Sequence, residues 1–166
     1  MKKLFTLLAL LLCVCMVAVA GNRKHKKAEA DTRNYRYDLE YVKSTGNGMV
    51  NVKVWSYSRR PSIAIEQCKK NAVHGILFKG YSGEGATQPP LVRDAADITT
   101  HADFFETFFA NGGDYMRYVS NSILGTSETV KVGKDYKMGV VVSVNVRQLR
   151  HDLETAGILR SLSHGF

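Results

Sequence analysis

The chain has 166 residues and a net charge of +8, with 23 lysines and arginines against 15 aspartates and glutamates. That length suits one ordinary domain with a real core, and the basic balance favours anionic partners. Three cysteines are too few for the disulfide framework of a small secreted domain.

The N-terminus carries an address. Lys2 and Lys3 precede an apolar run from Leu4 to Ala20 that closes on Ala18-Val19-Ala20. A basic stretch, an apolar stretch and an A-x-A site together make a secretory signal peptide, expected over residues 1–20. The run is short for a membrane span. A lipoprotein would instead keep Cys13 or Cys15 as an acylated N-terminus. Leu12 and Val14 precede those cysteines, where a small residue is wanted, so cleavage before Gly21 fits better. Removing the first 20 of 166 residues leaves 146, and losing Lys2 and Lys3 takes the net charge from +8 to +6. Only Cys68 then remains, and it is expected to be a buried helix cysteine. An exported location argues against nucleotide-fuelled chemistry and chromosomal DNA, and nucleic acid is not expected as a partner.

Residues 21–34 read as a basic disordered tether. Arg23, Lys24, Lys26 and Lys27 cluster there ahead of any strand or helix signal. They form a candidate contact with an anionic envelope surface.

A single α+β domain is expected over 35–158, with a tail over 159–166. Its mostly antiparallel sheet has about four to five strands, and two to three helices pack on one face. Tyr35, Tyr37, Leu39 and Tyr41 alternate with polar residues, as do Val50, Val52 and Val54. Around the Gly46-Asn47-Gly48 turn these predict a hairpin. Pro61 suits the first turn of a helix, with Ala64, Cys68 and Ala72 on one face and His74-Gly75 as its end. Ile76-Leu77-Phe78 then reads as a short third strand. Gly80 to Pro90 is a loop by composition, and a candidate binding segment.

The segment His101–Ala110 predicts a short helix closed by Asn111-Gly112-Gly113. Phe104 and Phe108, and Phe105 and Phe109, form ridges on it. These phenylalanines are either core or a partner-docking patch. Tyr115–Ser120 is a modest strand candidate. Val130–Lys137 and Met138–Val146 predict a hairpin around Gly133-Lys134-Asp135. A final helix starts near Val146, carries Leu149 and Leu153, and stops at Gly157.

Catalytic signatures are weak. No His-x-x-x-His pair occurs among the five histidines, and no metal site or cofactor is expected. His101 with Asp97 and Asp103 is the one local cluster of histidine and acids. Gly80-Tyr81-Ser82-Gly83-Glu84 lacks the last glycine of a nucleophile elbow, and Gly46-x-Gly48 lacks the third glycine of a dinucleotide loop. Phe166 ends the chain, as in outer-membrane barrels, but too few strands precede it.

In order, these pieces resemble a known arrangement. A two-strand start leads to Ala64-x-x-x-Cys68-x-x-x-Ala72, then Ile76-Leu77-Phe78-Lys79-Gly80. Near the end a valine strand runs into Val146-x-x-Leu149-x-x-x-Leu153-x-x-x-Gly157-Ile158. This resembles the small α+β domain at the N-terminus of flagellar assembly protein T and in related outer-membrane lipoproteins. More distantly it is similar to the amino-terminal domain of TolB and to curli-secretion lipoproteins. The resemblance implies a non-catalytic part of an envelope machine that docks on envelope proteins or self-associates into an oligomer. Tyr81, Glu84, Phe104, Phe105, Phe108 and Phe109 are the expected partner contacts. The alternatives are a secreted hydrolase using His101 and nearby acids, and a surface binder of anionic ligands.

Overall fold

A computed structural model describes residues 36–120 and 124–160, together with Ala30. The expected signal peptide, Cys13 and Cys15, the basic residues Arg23, Lys24, Lys26 and Lys27, and the chain after 160 lie outside the described residues.

The fold is α+β, with a four-stranded antiparallel sheet, a separate two-stranded hairpin and four helices among the described residues. Strands β1 (Tyr37–Thr45) and β2 (Met49–Ser58) form the expected hairpin, with Asn47 and Gly48 at positive φ in its turn. Strands β5 (Leu124–Val132) and β6 (Asp135–Asn145) form the second hairpin. Pairing of β2 with β6 joins the two in the order β1-β2-β6-β5. The alternating valines explain this centre. Val50, Val52 and Val54 of β2 and Val140, Val142 and Val144 of β6 all point to one face and are buried. Each such side chain contributes roughly 1.5–3 kcal/mol by leaving water.

Helix α1 (Pro61–Phe78) covers that face, with Pro61 in its first turn. Cys68 is buried as expected, its thiol donating to the carbonyls of Val54 (3.4 Å) and Met138 (3.6 Å). The helix does not stop at His74-Gly75. Ile76-Leu77-Phe78 is its last turn and not a strand, and Ile76 and Leu77 are fully buried. Gly75 is needed where it stands: a Cβ there would lie 2.9 Å from Leu39 and 3.3 Å from Tyr37. Close approach to β1, not helix termination, explains the glycine. The freed carbonyls of Ile76 and Leu77 accept from the N–H groups of Leu91 and Val92, at 3.2 and 2.9 Å.

Between α1 and those residues the expected loop is a small hairpin, β3 (Tyr81–Gly83) and β4 (Ala86–Gln88), turning at Glu84-Gly85. The phenylalanine segment is two short helices, α2 (Ala95–Thr100) and α3 (Ala102–Phe108), which break at His101. Asp94 caps α2 by accepting from the Ala96 N–H at 2.8 Å. Tyr115–Ser120 is not a strand. Asp114–Tyr118 is a 3-10 turn, after which Val119 bridges to Val144 and the Ser120 N–H donates to the Ser143 carbonyl at 3.0 Å. Helix α4 (Val146–Thr155) ends as expected before Gly157, with Asn145 as its N-cap and Leu149 and Leu153 in the core. Leu159 is buried too, one residue past the expected domain end. Among the described residues no helix is long and apolar enough to cross a membrane.

Candidate functional site

The same alternation that buries the valines sends Lys53, Trp55 and Tyr57 to the opposite face of the sheet. Their neighbours follow from register. Asp38 and Gly139 flank Trp55, Val141 flanks Lys53, and Lys137 flanks Tyr57. One strand further out, Glu128 pairs with Gly139 and Val130 with Lys137. This face is partly exposed to solvent.

Gly139 decides how the indole lies. A Cβ at that position would meet three atoms of the Trp55 ring at 2.5, 2.7 and 2.8 Å, so the ring rests flat over a bare backbone. Cations and rings then alternate across the face. Arg36 lies 4.2 Å above Tyr57, and Lys137 lies 5.4 Å from Tyr57 and 5.0 Å from Trp55. Lys53 lies 4.5 Å from the centre of the Trp55 ring. Such pairs at exposed sites contribute about 0.5–1 kcal/mol each. Carboxylates fix the lysines: Lys53 donates to Glu128 at 2.6 Å and Lys137 to Asp38 at 3.2 Å. Hydrogen bonds to Tyr57 and then Asp38 push the Lys137 pKa up, so it stays charged. The result is an aromatic platform whose two lysines are each paired with a carboxylate.

The residues expected from sequence fall elsewhere. Phe105, Phe108 and Phe109 are 7%, 3% and 5% exposed, so they are core and not a docking patch. The reason is local. Phe105 meets Phe78 of α1 edge-on at 5.0 Å, Phe108 stacks on Tyr118 at 6.0 Å, and Phe109 stacks on Tyr115 at 6.1 Å. Phe104 is only partly buried, stacked on Phe108 at 5.6 Å. Tyr81 is half-buried and stacked on Tyr41 at 5.6 Å, which ties the β3–β4 hairpin to β1. Burial, then Tyr41, pushes its pKa up. Glu84 is exposed at the tip of that hairpin.

His101 sits at the break between α2 and α3, its backbone N–H bonded to the Asp97 carbonyl at 3.1 Å. Among the described residues neither Asp97 nor Asp103 makes a side-chain hydrogen bond to it, and no three His, Cys, Asp or Glu side chains are grouped to hold a metal. The histidine with a defined environment is His74. Its Nδ1 lies 2.8 Å from the Tyr37 hydroxyl, with Phe78 and Phe109 against the ring at 4.8 and 5.4 Å. Burial, then the positive charges of Lys79 and Lys70, pushes its pKa down to about 3. It is a neutral link between β1 and α1. Cys68 is equally withdrawn, burial pushing its thiol up to about 11.

Comparison with known proteins finds no family model, no curated protein and no solved structure that matches this chain.

Proposed function

We propose that this chain is an exported, non-catalytic component of a cell envelope that docks on partner proteins through the open face of its sheet. The observation that carries the docking is the row Arg36, Tyr57, Lys137, Trp55 and Lys53. Tryptophan, tyrosine and arginine are the residues most enriched where protein interfaces concentrate their binding energy. Here Trp55 and Tyr57 stand on a paired strand, with Arg36 just ahead of β1, so little backbone freedom of the two aromatic residues remains to be lost on binding. Export is supported by Lys2, Lys3, the apolar run and Ala18-Val19-Ala20. The resemblance to assembly domains of envelope machines points the same way.

The test combines intact mass, fractionation and crosslinked pull-down from the native host. A chain starting at Gly21 in the periplasmic or outer-membrane fraction, with envelope proteins attached, is the expected result. Those proteins are lost from Trp55→Ala and Tyr57→Ala. A cytoplasmic chain that keeps residues 1–20 refutes export. Undiminished partner recovery with both variants refutes the docking face.

A further inference from the structure

Strand β5 is an outer strand of the sheet and, among the described residues, pairs with β6 alone. Its Val130 and Val132 are 51% and 44% exposed. A strand edge that is rich in β-branched residues and free of proline is a template for another strand. The guard on it is slight. Register is irregular between Leu124 and Glu128, which disturbs the first half, but Glu128–Val132 is regular and carries one lysine, Lys131.

The turn fixes which backbone groups face outward. Gly133, at φ 61, opens a two-residue turn between the paired residues Val132 and Asp135. Residues flanking such a turn exchange both of their hydrogen bonds, and bonded and non-bonded pairs then alternate. The N–H and C=O groups of Lys131 and Thr129 are therefore directed away from β6. A two-fold axis through Val130 matches these groups to themselves: Thr129 of one strand faces Lys131 of the other, twice. The same axis places Val130 against Val130 as a non-bonded pair, where side chains come closest. It also brings Glu128 of one copy beside Val132 and the Lys134 turn of the other, so opposite charges meet diagonally.

We infer that this edge pairs with the β5 edge of a second copy of the chain, antiparallel and centred on Val130. This inference rests on the docking reading in naming one partner for the same sheet. The pairing joins two four-stranded sheets into one of eight strands. It also leaves both aromatic platforms on the same side, because a two-fold axis normal to the sheet does not exchange its faces. Five residues per strand make a small contact, so the dimer is concentration-dependent.

Cysteine scanning tests this directly. Non-bonded antiparallel partners lie about 4.5 Å apart at Cα, inside the span that a disulfide needs. At Val132 the two copies are separated by four residues of strand, about 13 Å, which no disulfide spans. Under mild oxidation Val130→Cys should give a reducible dimer at several times the yield of Val132→Cys or Thr129→Cys, above the background of the parent chain. Lys131→Pro removes an outward N–H that the fold itself does not use, and should be monomeric in sedimentation at concentrations where the parent associates. Equal yields at 130 and 132, preferential crosslinking at 129, or association that survives in a folded Lys131→Pro would each overturn the inference. A failed crosslink at 130 with envelope proteins still bound at Trp55 and Tyr57 would remove the dimer and leave the docking reading in place.

Discussion

Replacing Gly139 with alanine should lift the only tryptophan of the chain off its sheet. The added methyl would lie 2.5–2.8 Å from three indole atoms, and a rigid ring has no flexible end to move aside. The ring must swing toward solvent and leave Lys53 and Lys137 behind. Two exposed cation–aromatic contacts contribute about 0.5–1 kcal/mol each. Rewetting roughly 40 Å² of ring adds about 1 kcal/mol. Relief of the glycine in a strand interior returns about 0.5 kcal/mol. The net destabilisation is about 1.5–2.5 kcal/mol, or about 5–10 °C in Tm for a domain of this size. Because Trp55 is the sole tryptophan, its emission reports the change without labels. The variant should emit further to the red and be quenched more readily by acrylamide, with a lower Tm. Unchanged emission, quenching and melting would refute the claim that Gly139 seats the ring.

Phe105→Asp should fail to fold or be insoluble, because it places a charge in the core. Phe104→Asp should remain a soluble folded chain, since that ring is only partly buried; circular dichroism and size-exclusion check both, and a folded Phe105→Asp would contradict the packing. His74 stays neutral in the folded chain because its pKa is held near 3, while the unfolded chain takes up a proton below its ordinary value of 6.5. The unfolded state then binds more protons, so stability should fall as pH drops from 6.5 toward 3, with a slope of up to about 1.4 kcal/mol per pH unit. Urea titrations from pH 6.5 to 5 should show that slope flattened in His74→Gln, and an equal slope in both chains would contradict it. Cys68, fully buried and pushed up to about 11, should resist thiol reagents in the native chain and react on unfolding; rapid native labelling at Cys68 would refute its burial.

Much of the fold was legible where period and burial agree. Val50, Val52 and Val54, and Val140, Val142 and Val144, each repeat every second residue because a pleated strand sends alternate side chains to one face. The turns at Asn47-Gly48 and Gly133-Lys134 show in the residues that accept positive φ. The start of α1 was legible at Pro61 but its end was not. Gly75 looks like a stop signal, while its cause is a contact with Leu39 and Tyr37 on a strand far away in sequence. Tyr115–Tyr118 has the composition of a strand, yet its aromatic rings serve the phenylalanine cluster from a 3-10 turn. The β3–β4 hairpin is too short for alternation to appear.

The candidate site was the least legible part. Lys53, Trp55 and Tyr57 read as the solvent side of β2. What makes them a platform is Lys137 of β6, Arg36 ahead of β1 and the bare backbone of Gly139. Those partners meet only once the register of three strands is set. Of the four phenylalanines that stood out in sequence, Phe105, Phe108 and Phe109 hold α3 against α1 and the 3-10 turn, and Phe104 stacks on Phe108 within the segment itself.

Docking on envelope proteins through the open sheet face would bring a partner within reach of Tyr57. The most direct measurement places a photo-activated residue at Tyr57 in the full chain, expressed in its native host, and compares it with one at Glu84 on the β3–β4 hairpin. A discrete crosslinked envelope protein is expected from position 57, lost on Trp55→Ala, with none from position 84. A crosslink from 84 alone, or the same product from both positions regardless of Trp55, would contradict it.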